Sequence, residues 1–316
     1  MLNKIKINKT IKPFNKVLKI EGDKSLSIRW ALLASQAKGV SRSTNLLKSE
    51  DVISTLSCLK KLGVKIKLKN KICEIHGLGL NGYKYKKNIT LDTGNSGTLA
   101  RLIMGLLVHA KGQIKIIGDK SLSKRDFYRV TEPLKKFGAK FKTNSGKLPV
   151  IINGTDLSKS IQYNETRGSA QCKSAVMLAA LNTNGKTIIK AKKSRNHSEL
   201  LFKYLKLGIK VTKKNNIDLI KIKGKKNIKS FNYLIPADIS SSAFFIVLTV
   251  LSNNSKLKIK NVNVNSTRTG IIKILKLMGV KINFRNSRNY KGERISDLLI
   301  ESTKSLKPIN CPTKLN

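Results

Sequence analysis

Four stretches of the chain repeat one pattern of apolar and polar positions. TLSCLKKLGVKIK, VTEPLKKFGAKFK, LLFKYLKLGIKVT and IIKILKLMGVKIN each place apolar residues at helical spacing, then a glycine, then apolar residues alternating with polar ones, mostly lysine. The glycines are Gly63, Gly138, Gly208 and Gly279, spaced 75, 70 and 71 residues apart. A glycine directly after a helical pattern predicts a left-handed C-cap. The alternation behind it predicts a strand with one buried face.

The pattern extends upstream in every copy. A small polar cluster opens an apolar helix in GDKSLSIRWALLASQA, TGNSGTLARLIMGLLVHA, GSAQCKSAVMLAAL and ADISSSAFFIVLTVL. Each of these helices is apolar nearly all round, which predicts burial. A strand follows each, in SRSTNL, QIKIIG, KTIIKA and KLKIKNV. Each unit therefore reads as about two helices and three or four strands. A period near 70 is too long for an ordinary solenoid and suits a duplicated subdomain. The fold class expected is α/β (α+β), built of repeated β/α subdomains.

Buried helices with Ser, Asn, Gly or Lys at their N-termini leave N–H groups that can bind anions. Ordinary N-capping explains any single terminus equally well. Capping does not explain Lys24, Ser25 and Arg29 together, because a cap needs neither cation.

Composition changes this picture little. The 316 residues carry 64 Lys+Arg against 17 Asp+Glu, a formal charge of +47. The basic residues are 53 Lys and 11 Arg, spread through every segment rather than gathered into a patch. Aromatics, at 5%, do not interleave with basic runs. A nucleic-acid partner is therefore not expected, whereas small phosphorylated or carboxylated substrates are. Cys58, Cys73, Cys172 and Cys311 lie far apart, with neither disulfide nor zinc spacing, which points to a reducing compartment. No apolar run approaches the roughly twenty residues of a membrane span, and no signal-peptide h-region is visible.

GDKSLSIRWALLASQAKG followed by NLLKSEDVISTLSCLKKLG resembles the start of the EPSP synthases, the 3-phosphoshikimate 1-carboxyvinyltransferases. LDTGNSGTLARLIMGLL, GDKSLSKRDFYRVTEPLKKFGA, SAQCKSAVMLAAL, SRNHSELL and NSTRTGIIKILKLMG follow in that family's order. The resemblance implies transfer of the enolpyruvyl group of phosphoenolpyruvate to the 5-hydroxyl of shikimate 3-phosphate, with release of phosphate. It also implies cytoplasmic location, aromatic amino-acid biosynthesis, no cofactor, no metal and a monomer at full length.

Residue by residue, the resemblance assigns Lys24 to both substrates and to catalysis. Ser25, Arg29, Ser169, Ala170, Gln171, Ser194 and Arg195 are assigned to shikimate 3-phosphate. Gly97, Arg125 and Gln171 are assigned to phosphoenolpyruvate. Arg101 is equally a structural partner for a carboxylate or a ligand contact. His197 is read as orienting its helix, Thr267 and Arg268 as packing residues, and His76 and His109 as element ends without partners.

The family has six such units in two domains, and four are counted here. The resemblance implies a whole domain over residues 23–233. Residues 1–22 plus 234–316 would form an incomplete second domain with one full unit, exposing apolar faces. The family's catalytic Asp-Glu motif is absent from this chain, as are its later Lys, Arg and His segments. Full activity of these 316 residues alone is accordingly not expected. Two other readings remain: a non-catalytic remnant binding anions or nucleic acid, and the sibling transferase acting on UDP-N-acetylglucosamine. The sibling is disfavoured because SLSKRDF lacks its loop cysteine.

Overall fold

The computed structural model describes residue 6 and residues 11–312. The chain divides into two compact units, one of Gly22–Ile235 and one that joins the segment ending at Glu21 to the segment starting at Pro236. Strand β1 (Asn15–Leu18) belongs to the second unit.

Three repeats build residues 22–235. The first is α1 (Lys24–Ser35), β2 (Ala37–Thr44), α2 (Glu50–Lys61), β3 (Lys65–Lys69) and β4 (Ile72–Leu78). The second is β5 (Ile89–Asp92), α3 (Gly97–Leu106), β6 (Gln113–Ile117), α4 (Lys120–Ser123), α5 (Tyr128–Lys135), β7 (Lys140–Asn144) and β8 (Lys147–Asn153). The third is β9 (Gln162–Glu165), α6 (Ala170–Leu181), β10 (Lys186–Lys192), α7 (His197–Tyr204), β11 (Ile209–Lys214) and β12 (Ile217–Lys223). Two short strands, β13 (Ile228–Lys229) and β14 (Tyr233–Leu234), close the unit.

Each repeat owns a sheet of one topology. The sheets run β5-β6-β8-β7 and β9-β10-β12-β11, each with one parallel pair followed by antiparallel pairs. The first repeat has no preceding strand of its own. Its parallel neighbours are β13, pairing Ile228 with Ala37, and β14, pairing Tyr233 with Ser43. The end of the unit thus returns to complete the sheet begun at its start.

All four repeat glycines take the predicted left-handed conformation, with φ of 85° at Gly63, 109° at Gly138, 63° at Gly208 and 92° at Gly279. That geometry costs glycine nothing and any residue with a Cβ something. Helices α1, α3 and α6 are buried, as their uniform apolarity predicts. Trp30, in the middle of α1, is 0% exposed, and truncating such a side chain to alanine costs about 3–5 kcal/mol. Helix α3 packs on α6 and on α1. Gly105 permits the α3–α6 approach, because a Cβ there would run into the backbone carbonyl of Ala175. That crossing sets the first turns of helices from two different repeats side by side, with Gln171 Nε2 3.0 Å from Thr98 Oγ1.

The second unit holds α8 (Ile239–Leu251), β15 (Lys256–Asn263), α9 (Gly270–Leu277), β16 (Ile282–Tyr290) and β17 (Glu293–Glu301). Its sheet runs β1-β15-β17-β16, again with one parallel pair leading. Arg268 pairs with Asp238 at 3.1 Å and donates to Ser240 at 2.8 Å, tying the start of α9 to the start of α8. Helix α8 departs from the burial expected of the first helix of a repeat. Ile246 and Val250 are buried, but Phe244 is 80% and Leu251 68% exposed. Within this unit α8 packs on one side only, against β15 and β17.

Candidate functional site

The three buried helices of residues 22–235 start on capping side chains. Leu26 N–H donates to Asp23 Oδ1, Leu99 N–H to Ser96 Oγ and Cys172 N–H to Ser169 Oγ. Capping therefore accounts for Ser169, and for none of Lys24, Ser25 or Arg29. Glu165, unnoticed in the sequence, holds the turn before α6 by accepting from Ser169 N–H at 2.8 Å and Arg167 N–H at 3.2 Å.

One cluster surrounds the start of α3. Arg101 Nη1 donates to Gln171 Oε1 at 2.9 Å and to the Gly97 carbonyl at 3.3 Å, and Nη2 donates to the Asp126 carbonyl at 3.2 Å. Its guanidinium lies over the Phe127 ring, 5.0 Å from the centroid, an attractive cation–π arrangement. Burial pulls the Arg101 pKa below the usual arginine range. The carboxylate partner considered for Arg101 is not what these bonds supply; they run to an amide and two backbone carbonyls. Gln171 Nε2 donates onward to Thr98 Oγ1 at 3.0 Å, so both ends of its amide are fixed. Arg125 Nη2 reaches Asn95 Oδ1 at 3.3 Å. A Cβ added at Gly97 would stand 2.8 Å from Arg101 Nη1 and 3.1 Å from Arg125 Nη1. Gly97, Arg101, Arg125 and Gln171 are therefore neighbours, and two guanidinium tips converge on the bare backbone of α3.

A second cluster surrounds Arg29, which is 5% exposed. Its Nε donates to Ser198 Oγ at 2.8 Å, Nη2 to Ser174 Oγ at 3.2 Å and Nη1 to the Ser25 carbonyl at 3.1 Å. Lys24 Nζ lies 3.3 Å from Asp51 on α2, and both side chains are partly exposed. Helix α6 runs past both clusters, with Gln171 facing the first and Ser174 the second, one turn apart. Ala170 opens α6. Ser194 and Arg195 lie between β10 and α7; the Ser194 hydroxyl is buried with no hydrogen-bond partner among the described residues, and Arg195 is exposed. Ser174 and Ser198 were present in SAQCKS and SRNHSE but carried no assignment. The signal for Ser174 was its spacing of three from Gln171 on a helix.

His109 is not without partners. Its Nε2 lies 3.4 Å from both the Ala179 carbonyl and Thr183 Oγ1, and burial lowers its pKa. Among the described residues, no group of three or more His, Cys, Asp or Glu could hold a metal ion. No helix among them is long and apolar enough to cross a membrane.

The model of the family EPSP synthase (3-phosphoshikimate 1-carboxyvinyltransferase) matches residues 8–313. The chain belongs to the EPSP synthase family. The 3-phosphoshikimate 1-carboxyvinyltransferase of Ruthia magnifica is 42% identical over 309 residues, covering 96% of this chain and 70% of that protein. The protein of the same name from Thermoanaerobacter sp. is 41% identical, covering 91% of this chain and 67% of its own length. An EPSP synthase structure from Acinetobacter baumannii superposes with a TM-score of 0.86 at 36% identity, covering 96% of this chain and 68% of that one. The chain thus spans about two thirds of the length of these EPSP synthases, and its repeated α/β fold is theirs.

Proposed function

We propose that the chain binds shikimate 3-phosphate and phosphoenolpyruvate and serves enolpyruvyl transfer to the 5-hydroxyl, the reaction named for its relatives. The observation that carries this is the pair of cationic clusters at the starts of α1, α3 and α6. In the transfer, the 5-hydroxyl gives up its proton as its oxygen bonds to C2 of phosphoenolpyruvate, while C3 takes a proton. The C–O bond to phosphate then breaks, and C3 gives up a proton as the enol double bond is restored. Negative charge sits on both substrates and moves to the leaving phosphate, so fixed cations in a desolvated site favour the reaction.

In this reading Lys24, Ser25 and Arg29 hold shikimate 3-phosphate, with Ser169, Ala170, Gln171, Ser194 and Arg195 around it. The buried hydroxyl of Ser194, which has no partner among the described residues, supports a ligand oxygen at that point. Gly97, Arg125 and Gln171 receive phosphoenolpyruvate, and Lys24 reaches both. The dispersed lysines support small anions over nucleic acid, and the buried free thiols support the cytoplasm. We read residues 22–235 as a whole three-repeat domain and the other unit as one repeat of a second domain.

Titration calorimetry of the chain with shikimate 3-phosphate tests this reading. Saturable binding that Arg29→Ala and Ser194→Ala each weaken is expected. Absence of binding, or binding indifferent to both changes, would overturn it.

A further inference from the structure

Lys173, Ser174, Ser198 and Glu199 are buried side chains of the SAQCKS and SRNHSE segments to which the assignment above gives no role. Ser174 is 1% and Ser198 4% exposed. Their hydroxyl oxygens lie 2.7 Å apart, one on α6 and the other on α7. Both accept from the same guanidinium, Ser198 from Arg29 Nε and Ser174 from Arg29 Nη2. The Ser25 carbonyl takes Nη1 from the other side.

Resting on the shikimate 3-phosphate reading of Arg29, we propose that Ser174 and Ser198 are positioning residues, a two-hydroxyl clamp that fixes the direction of the Arg29 guanidinium. A guanidinium is planar, so three bonds to three separate nitrogens fix both its position and its plane. These three partners are neutral oxygens, which orient the cation without discharging it. A cation held this way need not reorganise when an anion arrives, and the ordering cost is removed from binding. The adjoining residues set the clamp's spacing. Lys173 precedes Ser174, Glu199 follows Ser198, and the two charged groups meet at 2.6 Å with side-chain exposures of 0% and 4%. That buried contact holds α7 against α6 where the hydroxyls must meet.

The Arg29 Nε–H gives a readout that needs no ligand. The chain has 11 arginines, and Arg29→Lys identifies the resonance by its loss from the ¹⁵N spectrum. In the unaltered chain this proton should exchange slowly with solvent. Ser198→Ala should speed its exchange by about tenfold or more, the scale of one lost hydrogen bond to a charged donor. Ser198→Thr, which keeps the hydroxyl, should restore slow exchange. Shikimate 3-phosphate affinity should fall by about ten- to a hundredfold with Ser198→Ala and recover with Ser198→Thr. The clamp is overturned if Nε–H exchange in Ser198→Ala matches the unaltered chain, or if the Ala and Thr variants behave alike. If the unaltered chain fails to bind shikimate 3-phosphate, the functional reading falls while the exchange measurement still decides the clamp.

Discussion

Lys173 Nζ and Glu199 Oε1 lie 2.6 Å apart, with side chains 0% and 4% exposed. A buried ion pair loses most of its hydration, and its removal is asymmetric: taking away one partner leaves the other charge buried alone, at about 3–5 kcal/mol. Lys173→Met should therefore lower the urea midpoint strongly. The double change Lys173→Met with Glu199→Leu should recover most of the loss, because no buried charge remains. A single variant as stable as the parent would show that water reaches the pair.

Arg101 and Gln171 should be energetically coupled. They come from different repeats and meet through a charge-assisted hydrogen bond at 2.9 Å. In a double-mutant cycle of Arg101→Met and Gln171→Ala, the unfolding free energies should be non-additive by about 1–2 kcal/mol. Additivity would mean that the bond is not formed in solution.

Gly97→Ala should act on two arginines at once. The added methyl would stand 2.8 Å from Arg101 Nη1 and 3.1 Å from Arg125 Nη1, so both side-chain tips must shift. The Arg29 cluster is untouched by that methyl. Under the proposed assignment, phosphoenolpyruvate affinity should drop by several-fold or more while shikimate 3-phosphate affinity changes little. Calorimetry with each ligand checks this, and an equal loss for both would contradict it.

The thiols give an alkaline signature. Burial pushes Cys58 and Cys73 from 9.0 up to about 12. Because the folded values exceed the unfolded ones, the stability these groups contribute is present below about pH 9 and lost as pH rises towards 12. The urea midpoint should hold to pH 8 and fall above 9, less steeply with Cys58→Ala and Cys73→Ala. At pH 8, Ellman's reagent should rapidly label only exposed Cys311 in the folded chain and all four cysteines after denaturation. Rapid labelling of a second thiol in the folded chain would disprove this burial.

Much of the fold was legible along the chain. The glycine period marked four helix ends that all turned out left-handed, and uniform apolarity marked α1, α3 and α6 as buried. These features depend on residues a few positions apart, where helix and strand periodicity speak directly. The same uniform apolarity failed for α8, because burial also requires something on every side of the helix. Phe244 and Leu251 show that it packs on one side only within its unit.

Residue types alone determined that cations and bare backbone would stand at the helix starts. Only the tertiary structure decided what those cations touch. Arg29 meets Ser174 and Ser198 across 145 and 169 residues of chain, and β13 returns to lie beside β2. No local period encodes such contacts. They exist because α1 packs against α7, and because the first repeat lacks a preceding parallel strand until the end of the unit supplies it. Short-range order follows from side-chain spacing; the meeting of distant repeats follows from how their buried helices pack.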